Sequence, residues 1–247
     1  MIFHVFVLFA SLFLFGAFEI ALAFPSKLVW ISAAAIILLW RFSWKIGGSL
    51  SAAVIPTLFA LSTALILFFV SSIAQRHALL VLSTAVFYVG VLGIYRLRQY
   101  SGDKTARSML ALSAMASLFF FYSAFYGIFL NFRFFTQPMM MASFGGVTFL
   151  AAYHSFCVYL PKKRERARFF AIALGFLIME IAWIAGFWPF GYLTTGVVVL
   201  IFLAVPWDIF QHSVDGQLSR KRTIAVLTVA LLLLSMVLAS SAWVLQV

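Results

Sequence analysis

Few side chains in this sequence can do chemistry, because 247 residues include only six acids, four histidines and one cysteine. Glu180 stands alone in the apolar run from Phe169 to Trp188. An ionised group at the middle of a membrane helix costs about 2.5–3.5 kcal/mol on insertion scales, so such a residue needs a function or a partner. The functional reading is a carboxyl that binds a proton or cation in a cavity. The structural reading is a neutral carboxylic acid bonded to a neighbouring helix. Glu19 lies five residues before the end of the first apolar run, roughly 7–8 Å below that end at the helical rise, close enough to snorkel outward. Glu19-Ile20-Ala21 and Glu180-Ile181-Ala182 are the same tripeptide, each in a run that ends at a proline. Three residues do not establish a duplication. His154 precedes Cys157 by one turn, a spacing that suits two ligands of one metal. A tetrahedral site needs more, and no third ligand is evident, so a histidine bonded to a neighbouring helix is the simpler expectation.

Asp208, His212 and Asp215 are spaced to share one helical face if a helix continues past Trp207. The segment from Asp215 to Arg220 resembles the opening of the CDP-alcohol phosphatidyltransferase signature, D-x2-D-G-x2-A-R. His212 replaces its first aspartate, Ser219 replaces its alanine, and the carboxylates of the next helix are missing from Thr223 onward. That family's two-metal site therefore cannot form, and a solvated helix end is expected instead. No G-x-S-x-G, H-E-x-x-H, phosphate-binding or dinucleotide-binding motif occurs, so neither a catalytic residue nor a cofactor is expected. The single Cys157 excludes an intramolecular disulfide framework and multi-cysteine metal sites.

The elements that position these groups follow from composition. Hydrophobic residues make up 65% of the chain, charged ones 9%, and the mean hydropathy is +1.12. A soluble domain carries about 25% charged residues, so a water-soluble globule is excluded. The expected fold is all-α: a polytopic helical bundle in a single transmembrane domain with no soluble domain. With charges and prolines as punctuation, nine spans are predicted, at 2–24, 26–40, 46–73, 78–95, 108–130, 139–160, 169–188, 190–207 and 223–246. The second is short, the third holds Pro56 and has an interfacial start around Gly47 and Gly48 as its alternative, and the turn before the eighth reads equally as a break in one re-entrant element. Ala21-Leu22-Ala23 has the form of a signal cleavage site, but no basic segment precedes it and Glu19 interrupts the run. Cleavage there leaves eight spans.

The cations alternate. Arg41 and Lys45, then Arg96, Arg98, Lys104 and Arg107, then the Lys162–Arg168 cluster, then Arg220, Lys221 and Arg222 occupy every second connection. Only Lys27, Arg76 and Arg133 fall in the others. The positive-inside rule then places the chain in a cytoplasmic (inner or plasma) membrane, with the N-terminus in the cytoplasm and, for nine spans, the C-terminus outside. It assigns the net charge of +11 to anionic headgroups and not to nucleic acid. Most tryptophans fall near proposed span ends, and the aromatic-rich run Phe119–Phe135 reads as a lipid-facing belt, with a ligand-lining role as its alternative.

On a helical wheel Ala171, Gly175, Ala182 and Gly186 form a small-residue stripe, and Glu180 lies opposite with Phe169, Phe176 and Phe187. Protein on both sides, with the seventh span as a central helix, is the expectation. Homo- or hetero-oligomers through helix packing fit the same stripe. Three functions remain open. One is transport or binding of a small solute, ion or lipid through a cavity near Glu180, with Glu19 and His154 as further intramembrane groups. Another is an enzyme acting on a lipid-linked substrate through Asp208, His212 or Asp215. The last is a non-catalytic subunit or assembly factor.

Overall fold

The computed structural model describes residues 2–159, 164–214 and 219–241. Among them all regular structure is helical, and nine helices are long and apolar enough to cross a membrane. The helices are α1 (Ile2–Ala23), α2 (Leu28–Gly47), α3 (Leu50–Leu67), α4 (Ile73–Gln99), α5 (Lys104–Asn131), α6 (Gln137–Tyr159), α7 (Arg164–Ala185), α8 (Tyr192–Val214) and α9 (Arg220–Ser240). Length and composition fit a multi-pass membrane protein, because each helix satisfies its own backbone where water is missing.

Several boundaries differ from the expected spans, and local chemistry explains them. The second helix does not stop at Trp40 but runs to Gly47, since Arg41 and Lys45 extend readily from a helix end. It stops at Gly48, whose φ of +69° is the left-handed C′ conformation, with its N–H donating to the Trp44 carbonyl at 2.8 Å. The third helix begins only at Leu50, where the Ser49 hydroxyl accepts from the Ala52 amide at 3.2 Å. Pro56 sits inside α3 without ending it. The turn after Ala185 separates two distinct helices, α7 and α8, which pack on one another.

Two apolar clusters form the interior. One draws on α1 to α5 and the other on α3 to α8, so α3, α4 and α5 belong to both. The central helix is α5, which packs against α3, α4, α6 and α8. This overturns the expectation of a lipid-facing belt at Phe119–Phe135. Phe120, Phe121, Tyr122 and Tyr126 are buried, and the Tyr122 ring stacks on Phe144 at 4.7 Å between centroids. An all-round apolar helix finds its place inside the bundle because it has neighbours on every side. Only the end of the run, residues 130–134, is exposed. Trp207 likewise leaves its expected place at a span end. The helix continues past it to Val214, and Trp207 packs against Phe156 at 4.8 Å, 2% exposed.

The seventh helix is peripheral. Its small-residue stripe packs as expected, with Ala171, Gly175 and Ala182 buried, but only this side is covered. The helices α6 and α7 approach closely at two facing glycines: a Cβ on Gly175 meets the Gly145 carbonyl oxygen at 3.0 Å. Backbone cannot yield as a side chain can. Gly175→Val should therefore part α6 from α7 and cost about 1–3 kcal/mol, as overpacking typically does. Gly146→Ala, whose Cβ meets nothing within 4 Å, should be close to neutral. Thermal unfolding of both variants in detergent checks the difference, and equal midpoints contradict the close approach.

Candidate functional site

Glu180 occupies the uncovered side of α7. It is exposed and shares that side with Phe169, Phe176, Trp183 and Phe187, of which Phe176 is 64% and Trp183 50% exposed. The helix ends at Ala185 and not at the predicted Trp188, so the carboxyl sits five residues, roughly 7–8 Å, from the helix end, an offset like that of Glu19 and not the mid-span position expected. The sequence expectation of protein on both sides of this helix fails, because its neighbours α6 and α8 are engaged by the opposite stripe. No hydrogen bond or ion pair reaches Glu180 from the described residues. The nearest ordered polar contact along α7 is one turn away, where Gln137 Nε2 donates to the Trp183 carbonyl at 2.9 Å.

Glu19 has a different fate. Its Oε1 lies 2.7 Å from His77 Nδ1, joining α1 to α4. Glu19 is four residues from the end of α1 and His77 four residues from the start of α4, so adjacent helices bring the two groups to one depth. Sequence reading left Glu19 to snorkel and missed His77. The signal was available in the matching offsets from two ends on the same side of the bundle.

His154 lies on α6, half-buried, with its ring edge-on to Tyr153 at 5.2 Å. Its Nδ1 is buried without a hydrogen-bond partner among the described residues, so at this nitrogen the expected bond to a neighbouring helix is not made. Cys157 is free and half-buried. Among the described residues no three His, Cys, Asp or Glu side chains stand together as metal ligands.

At the basic ends, Asp208 and His212 do share one face of α8. His212 Nδ1 lies 2.8 Å from the Asp208 carbonyl oxygen and 3.4 Å from its Oδ1. Arg222, in the first turn of α9, donates to both carboxylate oxygens of Asp208 at 3.4 Å. This cluster clasps α8 to α9. Asp215 lies outside the described residues. A second paired acid, Asp103, went unnoticed in the sequence: its Oδ1 accepts from the Ala106 amide at 3.0 Å as the N-cap of α5, and its Oδ2 lies 2.7 Å from Arg96 Nη2. Arg98 donates to the Lys45 and Ile46 carbonyls at 3.2 and 2.9 Å and so caps the end of α2.

Inside the bundle, hydroxyls replace charges. Tyr122 and Thr148 share a hydrogen bond of 2.5 Å, and the Tyr126 hydroxyl donates to the Ala185 and Trp188 carbonyls, both at 3.2 Å. These bonds tie α5 to α6 and to the turn after α7. They are structural contacts between packed helices.

The Ala106 amide, and with it Arg96, holds the Asp103 carboxyl below its ordinary 3.8, against a smaller desolvation effect. A depressed folded-state value means that this contribution to stability is present above the ordinary value and lost as pH falls through the lowered one. Thermal midpoints measured from pH 6 downward should therefore drop below about pH 4. The drop should be smaller in Asp103→Asn, which keeps a capping oxygen but cannot titrate. Equal acid sensitivity of the two proteins contradicts the assignment. No family model, curated protein or solved structure matches this chain, so the candidate groups rest on their geometry.

Proposed function

We propose that the chain is a non-catalytic, multi-pass subunit of a membrane complex, seated in a cytoplasmic membrane with its basic ends toward the cytoplasm, and that it docks through the outward side of α7. The observation that carries this reading is Glu180. An ionised carboxyl in contact with hydrocarbon is costly, and the usual remedy is a polar partner on an adjacent helix. Glu19, in the same tripeptide, has such a partner in His77. Glu180 has none within the described residues, and its flanking Phe176, Trp183 and Phe187 form an apolar, aromatic surface. Charge complementarity calls for a basic or hydrogen-bond-donating side chain on a transmembrane helix of another polypeptide. Among the described residues the basic side chains at this end are engaged or outside the helices: Arg76 is bonded to the Val70 carbonyl, His77 to Glu19, and Lys27 and Arg133 lie in connections, while Gln137 donates to the Trp183 carbonyl.

A second reading, transport or binding of a small solute or ion, draws on the same carboxyl as a group that takes up and releases a proton. Proteoliposomes carrying an entrapped pH dye separate the two: proton flux that Glu180→Gln abolishes favours the carrier. An enzyme acting through Asp208 finds less support, because Arg222 and His212 already engage that carboxylate.

A photo-crosslinking amino acid at Phe176 or Trp183 in native membranes should give one discrete protein adduct of higher mass. The same probe at Leu82, exposed on α4, should give none. Glu180→Lys should abolish the adduct and Glu180→Gln weaken it by about tenfold or less, since a neutral amide keeps part of the hydrogen bonding. An adduct with a second copy of this chain redirects the proposal to a homo-oligomer. Lipid adducts alone at both positions overturn it.

A further inference from the structure

The corner where α2 meets α3 carries a second, independent feature. Arg41, Trp44, Lys45 and Gly48 line an open depression there. Arg41 and Lys45 stand one turn apart on α2, both exposed, and so project to the same side. Like charges at this spacing repel unless an anion lies between them. Three neighbouring cations at this end are engaged within the chain: Arg96 by Asp103, Arg222 by Asp208, and Arg98 by two carbonyls of α2. Among the described residues no carboxylate pairs with Arg41 or Lys45.

The backbone fixes the depression. Gly48 turns the chain in the left-handed conformation, and the Arg98 guanidinium lies against it, 3.0 Å from where a Cβ would stand. A third positive charge is thereby held beside the pair without being consumed by an acid. Trp44, 50% exposed at the helix end, supplies the amphipathic ring that sits at headgroup level in membrane interfaces. Two free cations, a fixed third one and an interfacial indole match a phosphodiester attached to a lipid, which offers a monoanion to the cations and a glycerol backbone to the ring.

We infer that this corner is a binding site for the phosphate of one anionic phospholipid headgroup, held by Arg41 and Lys45 beside Trp44. The site is distinct from the docking side of α7 and does not depend on it.

Native mass spectrometry of the purified protein, titrated with phosphatidylglycerol or phosphatidylcholine, tests the inference. One phosphatidylglycerol should bind about tenfold more tightly than phosphatidylcholine, the scale expected for two cations near a headgroup. Arg41→Gln/Lys45→Gln should remove that preference, and Arg220→Gln/Lys221→Gln, which removes the same charge at the start of α9, should keep it. If the first double variant does not fold, Lys45→Gln alone should still lower the preference, and Arg41→Lys should retain it. Equal losses in the two double variants reduce the effect to diffuse charge and overturn the site. So does the lack of any preference in the wild-type protein. Displacement of the lipid by millimolar inorganic phosphate overturns the lipid assignment in favour of a free-phosphate site, whereas retention supports it.

Discussion

A helix surrounded by hydrocarbon satisfies its own backbone and nothing else, so each ionisable side chain must lie near an end or find a partner on a neighbour. This constraint orders most of the structure. Glu19 meets His77 where α1 and α4 lie side by side, Asp103 meets Arg96 and caps α5, and Asp208 meets Arg222 where α9 leaves α8. Each pair sits close to helix ends, partly open to solvent, where water and salt screen an ion pair. These pairs therefore fix which ends adjoin and contribute little to the stability of the whole. Stability comes from the packing around α3 and α5, where buried aromatic rings and small residues interdigitate.

Against that order the outward side of α7 and the whole of α9 stand apart. α9 has no buried residue, contacts α8 alone among the prominent helix pairs, and is joined to it at one end by the Asp208–Arg222 clasp. In a bilayer its apolar surface is at no disadvantage, because lipid tails are as apolar as leucine. Glu180 differs in that no side chain among the described residues bonds its carboxyl, which five residues from the end of α7 reaches a polar environment only by snorkelling along an aromatic side. An uncovered apolar helix calls for no explanation, whereas an uncovered carboxyl within an apolar side does. That asymmetry is why the functional reading rests on one residue.

Much of the architecture was legible in the sequence. Charge punctuation located nine apolar runs, and the helices fall on them with shifts at the ends that Gly48, Ser49 and long basic side chains explain. The small-residue stripe of α7 also read correctly, whereas its partner, Gly145 opposite Gly175, emerged only from the fold. The arrangement of helices around one another did not. Phe120, Tyr122 and Tyr126 on α5 are as apolar or amphipathic as any lipid-facing residue, so hydropathy could not tell the inside of a membrane bundle from its outside. The same blindness put α7 at the centre. Partners across helices were harder to read: His77 is 58 positions from Glu19, and their matching offsets from two helix ends become decisive only once α1 and α4 are known to adjoin.

The nine-crossing arrangement requires the basic helix ends to share one side of a membrane. Cysteine accessibility tests this most directly, with single cysteines introduced in a Cys157→Ser background in native cells or oriented vesicles. Probes at Ser101 and Ser219 should react from one compartment, and probes at Ser72 and Thr136 only from the other. Labelling of Ser101 and Ser72 from the same side contradicts the nine-crossing arrangement, and with it the depth assigned to Glu180.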